Sequence, residues 1–451
     1  MLALLLACAP MPPVLPLDVT PQLRAHSPEA AQLLQAARND EQLYARLIEL
    51  CIHHPGRLAG TEALNGAVQR TLGWMQADKQ ENVRAEPVQV PVWVRGEESL
   101  QMLSPQQRSL GLLGLGGSVG TPGIEASVVV LSSFEELSEA VRGKIVLFDV
   151  PMATTLPSLE AYGQAVQFRV HGASRASRFG AVAVLVRSVT TRSLYTPHTG
   201  GTHYEADIQP IPTAAIPPEE AAAIRLLLAA GEEVRLRLKM DAKSLPDGPS
   251  ANVVGELRGS ELPDQIVVLG AHLDSWDVGQ GAHDDGAGVV QVVEALRILR
   301  ESGLRPRRTL RAVLYTNEEN GLRGGKAYAA AHHDEPHFAA VESDLGGGMP
   351  LGWSSSGSLE QQQWFAEVAE RTGLSRLRDG GGADISTLQG ILQIGLLPDD
   401  SHYFDFHHTH ADTVDHVDPA ALKEGLAAML LLAWELGNAD GIEPGVWTTE
   451  P

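Results

Sequence analysis

Two histidines and four aspartates crowd into residues 272–286, HLDSWDVGQGAHDDG, directly after the apolar run IVVLGA. Three more segments share this habit. RAVLYT runs into Asn317-Glu318-Glu319, AAVES runs into Asp344, and the loop 398–416, PDDSHYFDFHHTHADTVDH, carries five histidines among its acids. In open parallel α/β sheets, ligands bind beyond the carboxyl ends of the strands. Three strand ends and one loop therefore aim oxygen and nitrogen donors at a common rim. Carboxylate and imidazole without thiolate suit Zn²⁺, Mn²⁺ or Co²⁺ in an open catalytic site. The adjacent Glu318 and Glu319 suggest divided labour, because consecutive side chains diverge. One can hold a metal while the other stands over a water that the metal acidifies, taking its proton and passing it to a leaving amine.

The elements that must position these groups are readable from periodicity. Ser27-Pro28 reads as an N-cap and first helical position, and helical patterning runs on through PEAAQLLQAARNDEQLYARLIELCIHH. A further helix after Gly60-Thr61 carries Leu64, Val68, Leu72 and Met75 on one stripe. From about 88 to 242 the chain turns to short β-like runs (VQVPVWV, SVVVLSS, GKIVLFDV, GAVAVLV, IPTAAI) with one helix-like segment, RVHGASRASRFG. This reads as a mixed unit inserted between two parts of another. From 250 strands and helices alternate: IVVLGAH, the helix GVVQVVEALRILRESG, RTLRAVLYT, a helix over GGKAYAAAHH, HFAAVES and the helix WFAEVAERTG. Asp418-Pro419 opens a last helix, apolar nearly all round and hence buried. The expected fold class is α/β, a mixed and mainly parallel sheet flanked by helices, with an inserted β-rich unit. The expected divisions are 1–17 (signal-like), 18–92, 93–242 (insertion), 243–440 (catalytic) and 441–451 (tail).

Composition excludes several classes. A formal charge of −22 over 451 residues argues against nucleic acid, which needs a basic footprint. No basic cluster suits an anionic membrane surface, and no 18-residue apolar stretch spans a bilayer. Cys8 and Cys51 are the only cysteines, too few for a disulfide framework or a CxxC ribbon. Leu5-Leu6-Ala7-Cys8 resembles a lipoprotein signal end. Export, secreted, periplasmic or lipid-anchored at Cys8, is expected, although no Lys or Arg precedes Arg24 and the apolar run is short. A cytoplasmic protein is the alternative. GLGGSVG (114–120) puts Val119 where a dinucleotide fingerprint needs its third glycine. No G-x-S-x-G and no HExxH occurs.

HLDS…DDGAG, TNEENG, ESD and HTHADT, in that order, resemble the motifs of the co-catalytic di-zinc exopeptidases (clan MH). That group includes bacterial leucyl aminopeptidases and glutamate carboxypeptidases, and the chain resembles the glutamate carboxypeptidase branch. The likeness is strong over roughly 250–420 and weaker at RLAGTEA (57–63). The 93–242 insertion resembles a protease-associated domain. The resemblance implies two Zn²⁺, with Co²⁺ or Mn²⁺ as substitutes, held by His272, Asp284, Glu319, Asp344 and His408. Asp284 would bridge the ions, and Glu318 would be the general base. Asp274 would support His272, since i and i+2 share a strand face and a carboxylate can orient a ligating ring. His407, His408 and His410 compete for one ligand position, and spacing to Asp412 favours His408. Asp284 could instead cap the helix near Gly286, Asp344 could be a turn residue, and the two glutamates could exchange roles. Asp285 is read as cap or structural, Asp277 and His283 as loop-shaping, and Trp276 as packing. His402, Asp384 and Asp400 are placed near the cleft but read as structural, and His332, His333 and His337 as solvated or core. The implied activity is hydrolysis of dipeptides or short peptides with a free terminus. Carboxypeptidase action is favoured over aminopeptidase action; a di-zinc amidohydrolase of N-acyl amino acids and a catalytically dead binding protein are the rivals. A homodimer is implied by the resemblance alone.

Overall fold

The computed structural model describes residues 22–447; the signal-like segment with Cys8 and the last four residues of the expected tail lie outside them. Eight strands form the main sheet, in the order Glu81–Val94, Lys243–Leu257, Arg308–Tyr315, Leu262–His272, His337–Glu342, Leu392–Pro398, Pro350–Ser356, Arg376–Asp379. The middle of the sheet, from Arg308–Tyr315 to Leu392–Pro398, is parallel, and antiparallel strands extend it on both sides. Leu262–His272 is buried on both faces. Val267, Leu269 and Ala271 enter a core shared with the helices Ala287–Glu301 and Pro419–Asn438. Ile266 and Val268 enter a second core with Tyr328 and Ile385. A doubly covered strand needs an unbroken apolar run, which is the pattern that IVVLGA displays.

The helical pattern expected from Pro28 to His54 divides into Pro28–Arg38 and Gln42–His53. Asp40 Oδ1 accepts Leu43 N–H at 2.7 Å and starts the second helix as a cap does. Four strands of the main sheet escaped the sequence reading: Pro350–Ser356, Arg376–Asp379, Leu392–Pro398 and Lys243–Leu257. The second is a charged sheet edge, and Gly395 interrupts the apolar pattern of the third. A Cβ at Gly395 would come within 2.7 Å of Ser354 Oγ and 2.8 Å of Gly381 O, so close approach of neighbouring backbone accounts for the glycine.

A second eight-stranded sheet occupies residues between Glu98 and Met240. Val94 pairs with Lys243 and Trp93 with Ser244, so the chain leaves the main sheet and re-enters it on adjacent strands. The helix expected over 169–180 begins earlier, as Ser158–Ser177. Trp276 and Val278 of the main unit pack into the core around Trp93, and Arg95 pairs with Asp277 at 2.6 Å. No helix among the described residues is long and apolar enough to cross a membrane.

Candidate active site

Each parallel strand delivers one donor group to the carboxyl edge of the sheet. His272 is the last residue of Leu262–His272. Glu318 and Glu319 follow Arg308–Tyr315 in a turn where Asn317 has φ +65°. Asp344 follows His337–Glu342, and Asp284 and Asp285 precede the helix Ala287–Glu301. His408 comes from the loop before the last helix and itself has φ +63°, a conformation that non-glycine residues adopt rarely.

Asp284 lies between two histidines and offers one oxygen to each. Its Oδ1 is 3.1 Å from His272 Nε2, and its Oδ2 is 3.2 Å from His408 Nε2. Asp344 Oδ1 is 3.0 Å from His272 Nε2, and Glu319 Oε2 is 3.1 Å from His408 Nε2. The sequence-derived metal ligands therefore fall into two half-sites, His272 with Asp344 and His408 with Glu319, joined by Asp284. His407 is stacked on His408 with ring centroids 3.5 Å apart, and its Nε2 is 3.7 Å from Asp284 Oδ2. His410 is exposed.

The far nitrogens of the two rings are held by main-chain carbonyls. His272 Nδ1 is 3.0 Å from Asp274 O, and His408 Nδ1 is 3.2 Å from Thr199 O. With Nδ1–H donated to a carbonyl, each Nε2 presents its lone pair to the carboxylates. Lone pairs facing lone pairs are stable only around a cation, a proton or a metal. The geometry also revises one expectation: the Asp274 carboxylate is not what orients His272, its Oδ1 being 3.9 Å from Nδ1. It accepts the N–H groups of Glu318 (3.0 Å) and Glu319 (3.3 Å) instead and so fixes the glutamate turn.

Buried like charges leave their mark on the carboxylates. Burial, with the charge of Asp344 and Glu319 adding to it, lifts Glu318 well above the carboxylate range. Burial and Asp284 push Glu319 up to about 7, and burial raises Asp344. Against the effect of burial, His272 and His408 hold Asp284 well below that range. Glu319 Oε1 and Asp284 Oδ2 make no hydrogen bond although both are buried. Orphaned carboxylate oxygens, two imidazoles and no thiolate fit divalent cations of the zinc type. Three overlapping groups of metal-capable donors lie here: Asp284 with His407 and His408, His272 with Asp285 and Asp344, and His272 with Asp284 and Glu319.

The remaining polar residues of the opening loop shape it. Asp285 accepts His272 N–H at 3.1 Å and Gly288 N–H at 2.9 Å, so Asp285, not Asp284, bonds the first turn of the helix whose N-cap is Gly286. His283 stacks on Phe406 and faces His416 O at 3.1 Å. Away from the cluster, His402 pairs with Asp405, Asp400 accepts from Ser158, and His332 pairs with Glu86 and Glu335. Asp384 is wholly buried beside Glu342, and His337 is a core residue.

Two supports went unread in the sequence. Asp412, noted only as a spacing mark, accepts the N–H groups of Ala282 (3.0 Å), His283 (2.7 Å) and Asp284 (3.2 Å). Arg57, from the weak RLAGTEA match, is fully buried and donates to Leu273 O (2.9 Å), Gln280 O (2.7 Å) and Gly281 O (3.0 Å). Together they hold the loop that carries Asp284. The site opens into a cavity of about 230 Å³ whose lining includes Tyr162, Arg169, Glu318, Asp344, Phe404 and His407.

Comparison with known proteins places this geometry. Residues 252–433 match the profile of peptidase family M28. The chain is 41% identical over 401 residues to carboxypeptidase Q of Xenopus laevis, covering 86% of this chain and 84% of that one. The crystal structure of a peptidase M28 precursor from Shewanella amazonensis SB2B superposes with a TM-score of 0.88 at 35% identity, covering 93% of this chain and 98% of that one. An aminopeptidase from Aneurinibacillus sp. strain AM-1 shares the fold, with a TM-score of 0.64 at 21% identity over 94% of this chain and 98% of that one.

Proposed function

The chain belongs to peptidase family M28, and from that premise we propose a zinc-dependent exopeptidase that hydrolyses dipeptides or short peptides in the carboxypeptidase direction. The observation that carries the reading is Asp284, which offers one carboxylate oxygen to each of two histidine Nε2 atoms. His272 with Asp344 would hold one zinc and His408 with Glu319 a second, with Asp284 shared between them. When bound, the ions would polarise the scissile carbonyl and make the attacking water acidic near neutral pH.

The rest is done by the chain. Glu318 lines the cavity, and its carboxylate makes no hydrogen bond among the described residues. Both features support Glu318 as the group that takes the water's proton and returns it to the leaving amine. Burial, with the charge of Asp344 and Glu319 adding to it, holds Glu318 well above the carboxylate range, and cations that offset those charges would favour its action as a base. Asp274 holds the glutamate turn through two N–H groups. Arg57 and Asp412 hold the loop of Asp284. Aminopeptidase action would use the same cluster, since the metals set the bond cleaved and not the terminus recognised.

Glu318→Gln tests the assignment. The variant should retain two zinc ions per chain yet cleave an unblocked dipeptide at least about 100-fold more slowly, the usual scale for losing a general base. Wild-type turnover in that variant, or a wild type that binds zinc and cleaves no unblocked dipeptide, overturns it.

A further inference from the structure

The two metal-facing histidines are oriented from different parts of the chain. His272 Nδ1 meets Asp274 O, two residues along its own loop. His408 Nδ1 meets Thr199 O of the inserted unit, 209 residues away in sequence, at 3.2 Å. Thr199 N–H returns a bond to His408 O at 2.9 Å, so the two residues hold each other by ring and by backbone. A neighbouring contact repeats the pattern, with His198 Nδ1 2.8 Å from His407 O. One half-site therefore carries its own support. The other takes its support from a unit that the chain enters and leaves through two paired strands.

What seats Thr199 begins at that connection. Arg95 follows the strand Glu81–Val94, and its side chain is 11% exposed. Its Nε donates to Asp277 Oδ2 (2.8 Å) and its Nη2 to Asp277 Oδ1 (2.6 Å), the fork geometry in which guanidinium holds a carboxylate best. Nη2 also reaches Thr199 Oγ1 at 3.3 Å, and Nη1 donates to Gly114 O. Thr199 Oγ1 donates in turn to Gly114 O at 2.8 Å. Asp277 belongs to the loop 272–286 that carries His272 and Asp284. A single guanidinium thus ties that loop, the segment at Gly114 and Thr199 into one cluster, with the Trp93 ring centroid 5.1 Å from Cζ. Next to Asp277, the Trp276 ring packs so closely on Gly116 that a Cβ there would come within 2.2 Å of Cη2; glycine leaves the room this seam needs.

We propose that Arg95 is a positioning residue for the second metal: it seats Thr199 O on His408 Nδ1, so that occupancy of the His408 half-site depends on docking of the inserted unit and occupancy of the His272 half-site does not. The inference rests on the two-zinc reading above. A ring whose Nδ1–H is held by a carbonyl keeps its orientation, its tautomer and a more basic Nε2, and losing such a partner costs a metal site roughly 10- to 100-fold in affinity. Removing one member of a charge pair so little exposed leaves the other uncompensated, so the seam loosens when Arg95 is lost. Arg169 Nη1 also donates to Thr199 O, but from within the same unit, so it travels with Thr199 and does not dock it. Coupling between two equilibria is reciprocal. An ion on His408 Nε2 therefore holds the Nδ1–H on Thr199 O, and with it the inserted unit.

The test measures zinc affinity of the full chain by competition with a chromophoric chelator, on backgrounds that keep one half-site each. His272→Ala keeps the His408 half-site, and His408→Ala keeps the His272 half-site. Arg95→Gln should weaken zinc about 10-fold or more on the His272→Ala background, the scale for outer partners of a ligating histidine, and leave it unchanged on the His408→Ala background. Arg95→Lys, with the charge but without the fork, should fall between Arg95→Gln and the parent. A loss on the His272→Ala background no greater than on the other overturns the proposal and makes Arg95 a structural ion pair only. Hydrogen exchange of the wild type gives a readout that needs no variant. Adding zinc to the chelated protein should slow exchange at the Thr199 amide about 10-fold, the reciprocal of the affinity effect, and a rate indifferent to zinc also overturns the proposal. A wild type that takes up fewer than two zinc ions per chain refutes the two-zinc reading itself. Two ions with no coupling refute the coupling alone.

Discussion

Asp274→Asn separates two jobs that a carboxylate near a metal-facing histidine could do. If the side chain oriented His272, amidation would weaken the ion held by His272 and Asp344. The geometry assigns that task to the main-chain carbonyl of Asp274, 3.0 Å from Nδ1, which the substitution leaves in place. What the amide cannot do is receive both the Glu318 and Glu319 N–H groups, because its nitrogen is itself a donor. One buried N–H then loses a charged acceptor, at a cost of about 1–3 kcal/mol, or roughly a 5- to 100-fold loss of the working turn. Dipeptide turnover at saturating zinc should fall by that factor. Zinc affinity should be measured on a His408→Ala background, which retains only the His272 half-site, by competition with a chromophoric chelator. There Asp274→Asn should change the affinity by less than about threefold. A tenfold or greater loss on that background, with turnover of the zinc-saturated Asp274→Asn single variant intact, would show that the carboxylate acts on His272 and that the carbonyl assignment is wrong.

Two further outcomes follow from the same geometry. His408→Ala should release one of two zinc ions in a metal titration, whereas His410→Ala, whose side chain is exposed, should titrate like the wild type; the reverse result would move the ligand assignment. Burial pushes His337 down to about 4, so between that value and the unfolded value near 6.5 the native state binds fewer protons than the unfolded chain. Its contribution is therefore lost as pH falls through that window, by up to ~1.4 kcal/mol per pH unit. The Tm gap between wild type and His337→Gln should narrow as pH drops from 6.5 to 4.5, and a constant gap would refute the assignment.

Legibility in the sequence followed distance along the chain. His272, Glu318, Glu319 and Asp344 were visible because each ends an apolar run, and a doubly covered parallel strand needs such a run. Asp284 and His408 needed the ordered motifs. What stayed hidden has no periodicity to betray it. The Asp412 carboxylate meets N–H groups about 130 residues away, and the Arg57 fork reaches carbonyls more than 200 residues on. Partners of backbone groups leave no trace in the side-chain pattern of the segment they hold. The misread role of the Asp274 carboxylate has the same origin: sharing a strand face puts it near His272, but the nearby N–H pair of the glutamate turn is a better partner than a ring already served by a carbonyl.

The inserted unit shows why a composition change alone understates what a segment does. It is tethered at one end by the pairing of Val94 with Lys243, a ribbon that by itself would leave its far side free to swing. The bonds from His198 and Thr199 to the 407–408 backbone, and the packing of Trp276 against Trp93, supply further points of attachment. Several well-separated attachments fix an orientation that a two-strand hinge cannot. With that orientation fixed, Thr199 O meets the His408 ring at Nδ1, and Arg169 of the inserted unit lines the cavity beside Glu318 and Asp344.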